Sequence, residues 1–148
     1  MTIQINYKNS PLKNNFGNLV LFVGEKFDIR HLKKVITKND YSYVYDLLKI
    51  NDLKKKLLVF ELNSKRRIIL ISVSKDIKNS KIENLGAELY GVINTKKNIG
   101  EYFIYSDSLT IKHPNFISYL LHGFKLKSYQ FNKYKTKKDS KLLKINIL

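Results

Sequence analysis

Short β-type runs alternate with amphipathic helical segments along this chain, and this alternation constrains its fold more than any other feature. The apolar runs at 18–23, 57–62 and 67–73 have the length and composition of buried strands. The segment 80–97 instead repeats its large apolar residues at helical spacing. Strands that alternate with helices are typical of an α/β sheet with helices packed on its faces. A polar gap at 63–65 between two strand runs indicates a hairpin, so we expect a mixed sheet.

Further strands are predicted near both ends of the chain and before the last helix. They lie at 3–5, at 102–105 and at 143–147, where apolar residues alternate with Lys144 and Asn146. The whole pattern predicts a three-layer α/β/α domain with a mixed central sheet.

Capping residues predict where four helices begin. Asp28 can cap a short first helix, and the pair at 39–40 can open a second one. Ser80 and Glu83 have the spacing of a capping box, which predicts a third helix start. Pro114 suits the first turn of a fourth helix.

Two glycines lie inside the third predicted helix, at Gly86 and Gly91. Glycine in a helix interior costs about 1 kcal/mol relative to alanine, so its presence needs a reason. We expect a close contact between this helix and the sheet.

Composition bounds the class of protein. With 148 residues, 43% of them hydrophobic, the chain suffices for one packed domain (1–148) and is not a disordered tail. It has no Cys, which excludes a disulfide scaffold, a Cys-type zinc site and a thiol nucleophile. No secretory signal begins the chain, and no apolar run approaches the roughly 18 residues that span a bilayer. We therefore expect a soluble, cytoplasmic domain without a membrane partner.

The net charge is strongly positive. Lys and Arg number 28 and Asp and Glu number 12, which gives +16, and only Arg30, Arg66 and Arg67 are arginines. Abundant Lys, Asn and Ile are typical of an AT-rich coding sequence, so the charge has one explanation in codon bias and solvated lysines. The other explanation is an anionic partner such as a nucleic acid.

Catalytic motifs are sparse. His31, His113 and His122 are isolated along the chain, and the acidic residues are scattered singly, so no metal cluster is predicted. The sequence contains no Walker A motif, no G-x-G-x-x-G and no G-x-S-x-G. We expect each histidine to be solvated or held by a local partner, and the chain alone to be no enzyme and to carry no cofactor.

The densest feature is the basic segment 125–144. Its lysines are Lys125, Lys127, Lys133, Lys135, Lys137, Lys138, Lys141 and Lys144, and its interleaved aromatic residues are Tyr129, Phe131 and Tyr134. Lysines on phosphates and rings on bases can together hold nucleic acid, without sequence specificity when arginines are few. Alternatively, Tyr129, Phe131 and Tyr134 anchor a loop to the core while the lysine heads stay solvated.

Residues 121–138 (LHGFKLKSYQFNKYKTKK) also resemble the end of the N-terminal domain of cytosol (leucyl) aminopeptidases. That family has a Ser-Tyr-x-Phe-x-x-Tyr-Lys stretch before a strand. The matching residues here are Ser128, Tyr129, Phe131, Tyr134 and Lys135. Upstream, 66–73 resembles the family's basic strand entry, and 83–87 resembles its following helix.

The resemblance implies a macro-domain-like α/β/α fold that carries no catalytic residue. In the family, two divalent metals (zinc or manganese) and the N-T-D-A-E-G-R-L signature belong to a C-terminal catalytic domain, and that signature does not occur here. The family's members remove N-terminal residues from peptides, form hexamers, and in some cases bind DNA. The implied partners are thus the chain's own catalytic domain, homo-hexamer neighbours and possible DNA, with a role in assembly or regulation.

A third hypothesis is a macro-domain-like binder of ADP-ribose. Such a domain needs an Asp at a strand end and glycine-rich loops for the phosphates. The six glycines of this chain are isolated from one another, which argues against such loops.

Overall fold

A computed structural model describes residues 2–8, 17–63, 66–94, 100–133 and 142–148. Its centre is one six-stranded sheet. The strands are β1 (Thr2–Tyr7), β2 (Asn18–Val23), β3 (Leu57–Glu61), β4 (Arg67–Ser72), β5 (Glu101–Tyr105) and β6 (Leu142–Ile147). All six correspond to predicted strands, and the apolar runs at β2 and β4 are buried along most of their length.

The sheet order is β1-β6-β5-β2-β4-β3. Only β3 runs antiparallel, pairing with β4 from Leu57↔Ile71 to Glu61↔Arg67, and every other pair is parallel. The predicted hairpin and mixed sheet are therefore confirmed. Strand β6 lies inside the sheet between β1 and β5, and Asn146 is fully buried there, with its Nδ2 donating to Glu101 Oε1 at 2.7 Å.

The helices are α1 (Lys38–Ile50), α2 (Asn79–Ile93) and α3 (Phe116–Lys133). Short 3-10 turns occur at Glu25–Phe27, Arg30–Lys34 and Ser106–Ser108. No helix formed by the described residues is long and apolar enough to cross a membrane.

One apolar core lies on each face of the sheet, between the strands and the helices that cover them. Helices α2 and α3 cover one face of the sheet, where the core residues include Phe22, Leu89, Tyr102, Leu120 and Phe124. Helix α1 and the 30–34 turn cover the other face, where they include Leu21, Leu32, Val44, Leu48 and Leu70. The domain is thus a three-layer α/β/α fold, as predicted.

The helix starts differ in detail from the predicted ones. Thr37 is the N-cap of α1, and its Oγ1 accepts from the Asp40 amide at 3.2 Å. Helix α2 begins at Asn79 without a side-chain cap, so the predicted capping box is wrong and Ser80 lies inside the helix. Pro114 lies in the turn before α3 rather than in its first turn.

The expected contact between helix glycines and the sheet is also wrong. Gly86 faces α3, where a methyl group on it would lie 1.9 Å from the Leu120 carbonyl oxygen. Gly91 has nothing within 4 Å of such a methyl group. The close approach is therefore between two helices, and only one of the two glycines takes part in it.

Candidate functional site

A crevice opens at the carboxyl ends of β2, β4 and β5. From β2 the chain continues through α1 on one face of the sheet, whereas from β5 it continues through α3 on the other face. Neighbouring strands whose connections leave in opposite directions create a crevice at their carboxyl ends, and ligands of open α/β sheets bind in such crevices. This topology makes the crevice the candidate site.

The loop that follows β2 forms one wall. Gly24 and Asp28 close it, since the Gly24 amide donates to the Asp28 carbonyl at 3.3 Å. Between them Lys26 and Phe27 both have positive φ, at 57° and 56°. That conformation is uncommon for residues other than glycine. The buried Phe27 ring holds the loop against the core, and this packing stabilises the strained backbone.

Ser108 holds the opposite wall in place. Pairing between β2 and β5 ends at Leu21 and Tyr105, and the next amide, that of Phe22, donates to Ser108 Oγ at 2.9 Å. The same hydroxyl donates to the Tyr105 carbonyl at 2.6 Å. Because Ser108 is only 1% exposed, this pair of bonds joins the two walls inside the protein.

Both charge signs line the crevice. Glu25, Asp28, Lys75 and Lys112 border a cavity of about 680 Å³, together with Gly24, Val73, Thr110 and Ile111. This volume lies within the usual range for small-molecule sites. The two lysines could hold an anionic group, while the carboxylates could accept hydrogen bonds from a base or an amine.

Asp28 is the most strongly perturbed group at the crevice. Arg30 donates to its carboxylate through Nε at 3.0 Å, through Nη2 at 2.7 Å and through the backbone amide at 3.2 Å. These hydrogen bonds lower the pKa of Asp28 from its ordinary 3.8 to about 2. The carboxylate therefore stays ionised and oriented by Arg30 at neutral pH.

A second, smaller cavity of about 460 Å³ lies beside the start of α2. It is bordered by Lys56, Ser72, Ser74, Asp76, Ile77, Lys78, Lys81, Asn84, Leu85 and Glu88. Ser72 borders this cavity, and its Oγ donates at 3.1 Å to the carbonyl of Gly24, which borders the first cavity.

Each histidine has a local partner, as predicted. His31 Nε2 donates to the Phe22 carbonyl at 3.0 Å, and His113 Nε2 donates to Asn79 Oδ1 at 3.0 Å. His122 Nδ1 donates to Glu83 Oε1 at 3.0 Å, which is the actual role of the carboxylate predicted to form a capping box. Among the described residues, no three His, Asp or Glu side chains come close enough to hold a metal ion.

The basic segment is helical in its first part. Lys125 and Lys127 are exposed on α3, and Lys133 is its last residue. Tyr129 exposes 68% of its surface, so its ring does not anchor the segment to the core as one hypothesis required. The side chains of Phe131 and Lys133, and all of Tyr134, Lys135, Lys137, Lys138 and Lys141, lie outside the described residues.

The crevice itself was not predicted from the sequence. The signal was available in part, because Gly24 follows a buried strand and Asp28 comes shortly after it. The partner segments at 73–75 and 110–112 are distant in sequence, and only the parallel pairing of β4 and β5 with β2 brings them together.

The sequence matches no protein-family model and no curated protein. Solved structures, however, share the fold. A tomato leucine aminopeptidase mutant (K354E) is similar over 99% of this chain and 32% of its own, with a TM-score of 0.66 and 16% identity. The Coxiella burnetii cytosol aminopeptidase is similar over 97% of this chain and 28% of its own, with a TM-score of 0.57 and 13% identity.

A macrodomain has the same fold across its whole length. The macrodomain of Thermus aquaticus DarG is similar over 98% of this chain and 97% of its own, with a TM-score of 0.59 and 9% identity. The chain therefore spans about a third of each aminopeptidase but nearly all of this macrodomain. At these identities the likeness establishes a macrodomain-like α/β fold.

Proposed function

We propose that this chain is the non-catalytic N-terminal domain of a metal-dependent leucyl aminopeptidase. The observation that carries the proposal is the TM-score of 0.66 to an aminopeptidase over 99% of this chain and only 32% of the other. A domain of a larger enzyme would match in this way, with nearly all of its own length covered and only about a third of the enzyme's. The Ser-Tyr-x-Phe-x-x-Tyr-Lys resemblance at 128–135 adds independent support from the sequence.

In this proposal the chain's role is assembly or regulation of the enzyme. The two divalent metals, zinc or manganese, would belong to a catalytic domain outside 1–148, where the resemblance to the aminopeptidase family implies them. The parent would be a cytoplasmic hexamer that removes N-terminal residues from peptides. This domain would contact its own catalytic domain.

Capture of the native protein from its cells with an antibody against 1–148 tests the proposal. We expect a polypeptide well above the 17.4 kDa of this chain, with leucine-amide hydrolysis that a chelator abolishes and added metal restores. The isolated chain 1–148 should show no such hydrolysis. A native protein of 17.4 kDa without aminopeptidase activity would overturn the proposal.

The crevice favours a second candidate, a macrodomain-type binder of a nucleoside diphosphate such as ADP-ribose. Its support is the likeness over 97% of a macrodomain, together with Asp28 in the loop after β2 and Lys75 and Lys112 on the same cavity. Against it, Arg30 engages both carboxylate oxygens of Asp28, and a ligand would have to displace that contact.

Calorimetric titration of the chain with ADP-ribose decides on this second candidate. Binding that Asp28→Asn weakens, with Asp46→Asn on the outside of α1 as the matched control, would support it. Absence of binding at millimolar ligand would remove it, without bearing on the aminopeptidase proposal.

A further inference from the structure

Tyrosine and lysine side chains form a continuous row on the outer side of α1. The rings of Tyr41 and Tyr45 stack, with centroids 6.3 Å apart and planes inclined by 16°. Lys33 Nζ lies 5.7 Å from the Tyr41 ring centroid, and Lys49 Nζ lies 4.5 Å from that of Tyr45. We call Lys33, Tyr41, Tyr45 and Lys49 the tyrosine–lysine row.

Helical spacing explains why these residues align. Tyr41, Tyr45 and Lys49 are separated by four residues each, and Lys38 precedes Tyr41 by three, so all four lie along one side of α1. From Lys38 to Lys49 this side is about 16 Å long at 1.5 Å per residue. Lys33 joins it from the preceding 3-10 turn.

The row is accessible to a partner. Tyr45 exposes 48% of its surface, whereas Tyr90 and Tyr102 are buried in the core. Lys33, Lys38 and Lys49 are exposed as well. Tyr41 is half-buried and packs against the core, so Tyr45 is the ring of the pair that is open to a partner. Because α1 already buries Val44 and Leu48 on its inner side, folding does not require an exposed ring at Tyr45.

The charge along the row is positive. Asp40, at the start of α1, is engaged by Arg66 Nη2 at 3.0 Å and exposes only 15% of its side chain. Asp46 is exposed but follows Tyr45 by one residue, which turns it about 100° away around the helix. Neither carboxylate of α1 therefore neutralises the cations beside the rings.

Stacked rings with flanking cations match the chemistry of a single nucleic-acid strand. An unpaired base stacks on an aromatic face whatever its identity, and lysines neutralise the phosphates on either side. Lys33 and Lys49 now cover the outer ring faces and could move onto phosphates when bases take their place. Lysine is a point charge without the bidentate geometry that reads bases, so such binding lacks sequence specificity.

We propose that the tyrosine–lysine row binds single-stranded nucleic acid. This site lies across the sheet from α3, so it is distinct from the basic segment that the sequence indicated. It also lies outside the crevice and does not depend on the aminopeptidase proposal.

Fluorescence anisotropy with a labelled single-stranded DNA of mixed sequence tests the proposal at low salt. We expect Tyr45→Ala to weaken binding about tenfold and Tyr45→Phe to retain it, because stacking needs the ring and not the hydroxyl. Tyr129→Ala is the matched control, since Tyr129 is equally an exposed tyrosine among lysines, but on α3. It should bind as the unmodified chain does.

Salt dependence tests the lysines separately. For a single strand each phosphate contact contributes about −0.7 to the slope of log K against log salt, so Lys33→Gln with Lys49→Gln should reduce its magnitude by about 1.4. Circular dichroism verifies that each variant is folded, and this lysine pair carries the test alone if Tyr45→Ala does not fold. The proposal would be overturned if the chain did not bind the single strand, or if it bound duplex DNA with equal affinity. It would also be overturned if Tyr45→Ala bound as the unmodified chain does, or if Tyr129→Ala lost as much affinity as Tyr45→Ala.

Discussion

Gly86 of α2 and Gly123 of α3 let the two helices contact each other backbone to backbone. A methyl group on Gly86 would lie 1.9 Å from the Leu120 carbonyl oxygen, and one on Gly123 would lie 1.9 Å from the Glu83 carbonyl oxygen. Each glycine thus faces the residue three positions before the other glycine. The obstructing atoms belong to backbone, so they cannot move aside as a flexible side chain could.

Replacing Gly86 by alanine should destabilise the domain. The helices would have to separate, and overpacking of this kind typically costs about 1–3 kcal/mol or more. The free energy of unfolding in urea measures the loss. Gly91→Ala is the control on the same helix, where the added methyl group meets nothing within 4 Å and helix propensity should add up to about 1 kcal/mol. Equal stability of the two variants would contradict this account.

Ser108→Ala should also be destabilising, although it removes one oxygen atom only. The Phe22 amide would lose its partner in a fully buried environment, which costs about 1–3 kcal/mol. Urea unfolding detects the change, and Ser80→Ala on the surface of α2 is the comparison. A Ser108→Ala chain as stable as the unmodified one would mean that another group satisfies this amide.

Substitutions at the two candidate caps should have opposite consequences. Thr37→Ala removes the oxygen that accepts from the Asp40 amide and should cost about 1 kcal/mol. Ser80→Ala should be neutral or slightly stabilising, because Ser80 lies inside α2 and alanine favours helices. Thermal unfolding of both variants gives the ranking. A larger loss of stability for Ser80→Ala than for Thr37→Ala would support the capping box after all.

The Asp28 carboxyl should titrate near pH 2. Its folded pKa lies below the ordinary 3.8, so its contribution to stability is present above pH 3.8 and is lost as the pH falls through about 2. NMR titration of the side-chain carboxyl measures the value directly. Arg30→Met should raise it toward 3.8, since Arg30 donates the hydrogen bonds responsible. An unchanged pKa in Arg30→Met would assign the shift to another group.

Local patterns were sufficient for most of the fold. The runs at β2, β3 and β4 are dense enough in branched apolar residues to identify strands, and the polar gap between the last two identified their hairpin. Local patterns were insufficient at the start of α2, because a capping box is defined by spacing alone, whereas the Glu83 carboxylate accepts from the distant His122. The burial of Asn146 was equally beyond local patterns. It arises because β6 pairs with β1 on one side and β5 on the other, which places this polar residue inside the sheet.

The sequence by itself determined the six strands, the mixed sheet and the excess of positive charge, because these depend on neighbours within a few residues and on composition. Only the tertiary structure decided that Gly86 meets α3, that 24–28, 73–75 and 110–112 border one crevice, and that Tyr41 and Tyr45 stack between lysines. These relations depend on the direction in which each helix returns to the sheet. Sequence periodicity specifies which side of an element is buried, but not which distant segment that side meets.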